Sequence, residues 1–207
     1  MRKPSFLYFD LGNVLLMFDH HRGAAQMAEV AGIPVEQVWE LVFQGDLQKR
    51  VECGAISSQE FFDEFCQQTN SRPDRDELAL AASAIFEINA SIVPLVATLH
   101  VSNHRMGVLS NTCEDHWNYV INNRYAIIPS LFEVHVLSHE VGAAKPDAKI
   151  YEVAADRAGC PANEVFFVDD LAEHVAGARA AGFDAVQFES VDRLAMDLRQ
   201  RGLEFNF

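Results

Sequence analysis

Phe6-Leu7-Tyr8-Phe9-Asp10-Leu11-Gly12-Asn13 decides the reading: four apolar residues stop on a carboxylate, and a glycine follows two positions later. The pattern returns in Met106-Gly107-Val108-Leu109, which stops on Ser110, and in Val165-Phe166-Phe167-Val168, which stops on Asp169-Asp170. Lys145 follows a fourth run, Val134-His135-Val136-Leu137. Continuous apolar runs suit strands buried on both faces of a parallel sheet, and such sheets bind ligands outside the carboxyl ends of their strands. Carboxylates, a hydroxyl and an ammonium are therefore expected together at one edge. That set suits a divalent metal and a phosphoryl group.

Helical periodicity alternates with these runs. It predicts helices at Glu114 to Asn123, at Asp147 to Ala158 (closed by Gly159 and Pro161) and at Ala172 to Ala181 (stopped by Gly182), with a strand at Ala185 to Phe188. The alternation predicts an α/β fold, a doubly wound parallel (Rossmann-like) sheet. Between Asp10 and Ser110 the rhythm breaks. Residues 18–88 read as helical throughout, with candidate helices at His20 to Ala31, Val35 to Phe43, Ser58 to Gln68 and Asp74 to Ile88, and a capping box of Ser57 with Glu60. This is too long for a simple crossover and predicts a small all-helical cap inserted after the first strand. The core is then 1–17 and 89–207, with hinges near Met17 to Asp19 and Asn89 to Ser91.

A chain of 207 residues suffices for one domain with a modest insert. The cysteines Cys53, Cys66, Cys113 and Cys160 form no Cys-x-x-Cys pair, which favours reduced thiols. Arg2 and Lys3 precede an apolar stretch that Asp10 interrupts too early for a signal peptide, and no run approaches a membrane span. A cytoplasmic protein is expected. Thirty acidic against sixteen basic residues give a formal charge of -14, which repels nucleic acid and anionic membranes, so neither is an expected partner. A small phosphorylated metabolite remains compatible, because a cation and a lysine make a site locally positive. Oligomeric state stays open.

Phe9-Asp10-Leu11-Gly12-Asn13-Val14, Leu109-Ser110-Asn111-Thr112, Ser138 to Asp147 with Lys145 and then Ile150-Tyr151, and Phe166-Phe167-Val168-Asp169-Asp170 together resemble the four ordered motifs of the haloacid dehalogenase superfamily. The resemblance covers Ser5 to about Phe188, and the insert corresponds to that family's first type of cap (C1). It implies that Asp10 is a nucleophile forming an aspartyl-phosphate. It implies an Mg2+ site, with Mn2+ an alternative, built from Asp10, the Gly12 carbonyl, Asp169 and Asp170. Ser110 and Asn111 would bind phosphoryl oxygens, and Lys145 would neutralise charge on the nucleophile and the transferring group. Glu173, beside His174, is expected to brace Lys145 or the metal shell. Where the chain enters the insert, His20 and Arg22 are candidates for substrate contact. His135 reads as a core histidine.

Gly12 departs from the family pattern, because most of its phosphatases carry there a second aspartate that protonates the leaving alcohol. General acid-base catalysis contributes about 10² to 10⁴ in rate. The Asp-Leu-Gly-Asn start is nonetheless similar to a branch of sugar-phosphate phosphatases that includes an α-glucose-1-phosphate phosphatase. The expectation is an Mg-dependent phosphohydrolase acting on a good leaving group or drawing its proton from the cap. Its runner-up is a catalytically weak phosphate-binding or regulatory protein. A 2-haloacid dehalogenase and a response-regulator receiver fit less well: the former needs no metal site, and the latter carries an acidic pair on its first strand and no helical insert.

Overall fold

The computed structural model describes residues 3–122 and 125–207; Arg2 and Asn123, named above, lie outside them. The strands in chain order are β1 (Phe6–Phe9), β2 (Leu16–Phe18), β3 (Phe86–Ile88), β4 (Met106–Ser110), β5 (Val134–Leu137), β6 (Val165–Asp169) and β7 (Asp184–Gln187). Five of them make one parallel sheet in the order β5-β4-β1-β6-β7. The chain leaves β1 toward β4 and β5 on one side and returns to β6 and β7 on the other. The crevice at the carboxyl end of β1 is thus where the connections diverge, the usual ligand position in an open α/β sheet.

Side chains alternate across each strand, so the sheet has two cores. Leu7, Phe9, Val108, Phe166 and Val168 pack on one face, and Phe6, Tyr8, Leu109, Val136 and Phe167 on the other. Because both faces are covered by helices, these strands read in sequence as unbroken apolar runs.

The helices follow their local signals. Asp19 caps His20–Ala31, which ends on Gly32 at φ 66; Asp147 caps Ala148–Ala158, which ends on Gly159 at φ 67. Ser57 and Glu60 form the reciprocal capping box ahead of Ser58–Thr69. Between β2 and β3 the helices gather a core of their own around Ala24, Met27, Val38, Val42, Leu47, Phe65 and Leu78. Hydrogen bonds fasten this insert to the core. Arg75 donates to Asp115 at 2.9 Å, and the Ser138 hydroxyl donates to the main-chain oxygen of Glu52.

Residues 18–88 are not helical throughout. Phe18 lies in β2, and the helix expected to run to Ile88 is Arg75–Ser83, followed by β3. β2 and β3 pair antiparallel, Leu16 opposite Ile88 and Phe18 opposite Phe86, making a two-stranded ribbon where the chain enters and leaves the insert. Each strand is only three residues long and alternates one buried side chain with an exposed one, too short for a periodicity to register. The expected helix at Val35 to Phe43 is present, α-helical over Val35–Val38 and continuing as the wider π-helix Trp39–Gln44. The helices Val93–Val101, Ile127–Leu131, Ser138–Val141 and Val191–Gln200 match no expected element, and Leu47–Glu52 adds a helix within 18–88 beyond the candidates named there. No helix among the described residues is long and apolar enough to cross a membrane.

Candidate active site

Asp10 follows β1 directly, Ser110 closes β4, Asp169 closes β6, and Lys145 comes from the loop after the short helix Ser138–Val141. The four expected positions therefore meet at one sheet edge. The Lys145 side chain is buried, and its ammonium has three protons and three acceptors. It donates to Asp10 Oδ1 at 2.7 Å, to Asp169 Oδ2 at 2.6 Å and to the Leu109 carbonyl at 3.0 Å. The ring of Phe167 lies below it, its centroid 5.3 Å away.

Asp10, Asp169 and Asp170 each bring a carboxylate oxygen within 4.8 Å of the others. Three hard anionic oxygens against one ammonium leave excess negative charge, which suits Mg2+, an ion that takes one or two carboxylates and keeps several waters. Burial pushes the Asp10 carboxyl up to about 6 despite the opposing pull of Lys145, with Asp169 adding to the rise. Asp169 goes the other way: burial would raise it, but Lys145 and His174 outweigh burial and hold it below the ordinary carboxylate range. Burial likewise opposes the Lys145 charge, and the two carboxylates overcome it and hold the ammonium above its usual value. Two carboxylates share one cation, and Asp169 has the further donors. Of these two carboxyls, Asp10 is therefore the one that ionises last in the absence of a metal.

The supporting contacts are specific. Asp169 Oδ1 accepts from the Leu171 amide at 2.8 Å and meets His174 Nδ1 at 3.0 Å. Asn13, in the left-handed region at φ 54, donates to Asp170 Oδ2 at 2.9 Å and so ties the loop after β1 to the end of β6. Asn111 exchanges two bonds with the main chain of Lys145, accepting from its amide at 2.7 Å and donating to its carbonyl at 3.0 Å. Its side chain thus holds the main chain of Lys145, and the amide nitrogen has a second N–H beyond the one given to that carbonyl. Among the described residues the Ser110 hydroxyl makes one long bond, 3.3 Å, to the Asn111 carbonyl.

Other expected contacts fall elsewhere. Arg22 pairs with Glu87 of β3 at 3.0 Å, both exposed, because the entry helix and the ribbon lie side by side. His20 sits between Phe18 and Phe43, each ring centroid 4.8 Å away, and burial lowers its pKa. Glu173 is exposed; its neighbour His174 turns inward and reaches Asp169, as the first turn of the helix after β6 requires. His135, expected in the core, is half-buried: its ring packs against Trp117, centroids 4.8 Å apart, and its Nε2 has no hydrogen-bond partner among the described residues.

Two features had no sequence signal. A Cβ on Gly12 would stand 2.8 Å from Cε1 of Phe18, so the ring fills the room a second acid would need. Glu52, ending the helix Leu47–Glu52, has its carboxyl pushed up to about 7 by burial, opposed by a hydrogen bond from Gln48 and raised further by Asp10.

The family model of haloacid dehalogenase-like hydrolases matches residues 7–182. The chain belongs to that family. Among curated relatives of this hydrolase is "Phosphatase MT3486" of Mycobacterium tuberculosis, 28% identical over 191 residues that cover 87% of this chain and 85% of the relative. Among solved structures it resembles the HAD family enzyme bt-2542 of Bacteroides thetaiotaomicron, in complex with magnesium and inorganic phosphate. The TM-score is 0.80 at 24% identity, over 92% of this chain and 98% of that one. A HAD-like family hydrolase of Porphyromonas gingivalis gives 0.77 at 23% identity, over 95% and 98%. These structural likenesses speak for the fold of the hydrolase, and the site chemistry rests on its own residues.

Proposed function

We propose that this hydrolase is an Mg-dependent phosphatase of small phosphorylated metabolites, working through an aspartyl-phosphate on Asp10. The observation that carries the reading is the single ammonium of Lys145 held between Asp10 and Asp169 beside a third carboxylate. An ammonium and three acids suit a nucleophile, a metal and a dianionic phosphoryl group sharing one edge. The "Phosphatase" name of the mycobacterial relative and the magnesium and phosphate of the Bacteroides complex point the same way.

In this reading residues 18–88 are a C1-type cap over a core of 1–17 and 89–207. Asp10, Asp169, Asp170 and the Gly12 carbonyl hold Mg2+, with Mn2+ an alternative of the same donor preference. When bound, the ion would supply charge neutralisation for the phosphoryl group. An Asp10 carboxylate oxygen attacks phosphorus, the ester P–O bond breaks, and the alcohol leaves; water then attacks the aspartyl-phosphate, releasing phosphate and restoring Asp10. Lys145 lies against the nucleophile in a low dielectric, where its charge counts most. Ser110 binds a phosphoryl oxygen, and Asn111 positions Lys145. His20, packed between Phe18 and Phe43, and Arg22, paired with Glu87, reach substrate only if those contacts open. Sugar phosphates come first among substrates, by similarity to the Asp-Leu-Gly-Asn branch. The four free cysteines fit a cytoplasmic setting.

A second reading has one observation in its favour: Phe18 occupies the place of the usual acid. It is a phosphate-binding or regulatory protein with weak turnover. One screen separates the two. Purified protein with Mg2+ is offered sugar-1-phosphates, sugar-6-phosphates and other phosphorylated metabolites, and phosphate release is measured. Release that requires the metal and vanishes in Asp10→Asn supports the phosphatase. Tight binding of inorganic phosphate with no release from any ester sinks it.

A further inference from the structure

We propose that Glu52 is the catalytic acid and base of this site, replacing from the insert the side chain that Gly12 lacks. The proposal rests on the phosphatase reading above. The loop Leu11-Gly12-Asn13-Val14-Leu15 carries no acid and Phe18 packs into the space beside Gly12, so an acid that serves the leaving oxygen has to be delivered by another element.

Glu52 comes from the helix Leu47–Glu52 of the insert. Its main-chain oxygen accepts from the Ser138 hydroxyl, and the same hydroxyl accepts from the Thr112 amide at 2.9 Å. Ser138 follows β5 and Thr112 lies two residues after Ser110, so Glu52 is moored to the edge that carries the nucleophile. Two residues on, Gly54 adopts φ 70 with its backbone pressed on His139; a Cβ there would stand 2.4 Å from the His139 carbonyl oxygen. The turn after Glu52 is therefore fixed in place. One carboxyl oxygen of Glu52 accepts from Gln48 Nε2 at 2.6 Å, and the other has no hydrogen-bond partner among the described residues.

The charged and titratable groups around it are few. Asp10 and Lys145 act on it from the core; Cys113, whose thiol burial pushes up to about 12, stays neutral; Glu60, Glu114 and His139 line the crevice beside Gly54. In these surroundings the Glu52 carboxyl, pushed up to about 7 by burial, is divided between its two forms at neutral pH, as an acid that must also serve as base requires.

The steps balance. As the Asp10 oxygen bonds to phosphorus and the ester P–O bond breaks, the proton on Glu52 passes to the departing alkoxide. Glu52, now a carboxylate, takes a proton from the water whose oxygen bonds to phosphorus as the Asp10–phosphorus bond breaks. Both residues return to their starting forms.

The test compares Glu52→Gln with the wild type on two esters, p-nitrophenyl phosphate and glycerol phosphate. Nitrophenolate departs without protonation, and an alkoxide does not. The variant is expected to lose about 10² to 10⁴ in turnover of the alkyl ester, the range of general acid catalysis. On the aryl ester it should release a fast burst of nitrophenolate, one per chain, and then stall at the aspartyl-phosphate for want of a base. Glu52→Asp, which keeps an acid, should recover part of the alkyl-ester rate. The burst itself requires a folded site, so misfolding cannot imitate it. Equal losses on both esters without a burst, or no loss on either, overturn the proposal. A wild type that hydrolyses neither ester counts instead against the phosphatase reading.

Discussion

Cε1 of Phe18 lies 2.8 Å from where a Cβ on Gly12 would stand, closer than two carbons can approach. Phe18 belongs to β2, whose partner β3 closes the insert, so the residue that excludes an acid from the nucleophile loop is part of the junction between insert and sheet. Gly12→Ala is expected to destabilise the protein by about 1–3 kcal/mol, the usual effect of overpacking. Phe18→Ala should relieve that loss, and the pair should show a coupling of about 0.5–3 kcal/mol in a double-mutant cycle read by urea unfolding. Additive effects would mean that the ring moves aside freely. By the same contact, Gly12→Asp alone should slow turnover, and only Gly12→Asp combined with Phe18→Ala has room for a second acid.

Asp10 titrates against stability. Its folded pKa, about 6, is raised by burial above the ordinary 3.8, so its contribution to folding is greatest below pH 3.8 and is lost as pH rises through about 6. Without divalent metal at pH 7.5, Asp10→Asn should therefore abolish turnover and yet stabilise the protein. The gain should be about 1–3 kcal/mol, because a tenfold change in proton affinity is worth about 1.36 kcal/mol. Near pH 4 the difference should close, because wild-type Asp10 is then mostly protonated. Calorimetric melting at the two pH values checks both halves. A variant less stable than wild type at pH 7.5 would show that the bond to Lys145 outweighs the desolvation of the charge.

Magnesium should reverse that penalty. Three carboxylates share about one ammonium's worth of compensation, and a cation bound only by the folded state stabilises it by mass action. At about 100 times its dissociation constant the gain is about 2.7 kcal/mol. For a chain of this size that corresponds to roughly 5–10 °C in Tm, at 2–4 °C per kcal/mol. The shift should vanish in Asp169→Asn and shrink in Asp170→Asn, whose carboxylate is the more exposed and is already engaged by Asn13. A Tm that ignores magnesium would remove the metal from the site.

How much of this was legible follows from burial. β1, β4 and β6 are buried throughout, so each stands in the sequence as an unbroken apolar run with its reactive residue at the end, while Lys145 follows the edge strand β5 after the short helix Ser138–Val141. Asp10, Ser110, Lys145 and Asp169 could be placed on one edge before any coordinates. β2 and β3 left no such mark, since Met17 and Glu87 face solvent and three residues carry no period. The helix Leu47–Glu52 shows only Leu47 and Val51 as buried positions among polar neighbours, and it delivers Glu52 through tertiary contacts with Ser138 that no local pattern encodes. His174 was readable in principle: it stands on the first turn after Asp169, one residue from Glu173, and burial decides which of the two turns inward. The role of Asn111 was hidden because its partner is the main chain of a residue 34 positions away.

That pairing leads to the remaining prediction. Asn111 holds Lys145 by two main-chain hydrogen bonds, so Asn111→Ala removes the clamp while leaving the ammonium in the protein. Losing two bonds of this kind should destabilise the fold by about 1–3 kcal/mol. The larger effect should be kinetic. A displacement of Lys145 by about 1 Å from its place between Asp10 and Asp169 is enough to lower kcat by about 10². A residue that bound the phosphoryl group directly and equally in ground and transition states would instead raise KM and leave kcat alone. Steady-state kinetics on the best ester from the metabolite screen decides between the two roles. A fall in kcat with KM nearly constant supports the clamp, and a rise in KM at constant kcat returns Asn111 to the substrate.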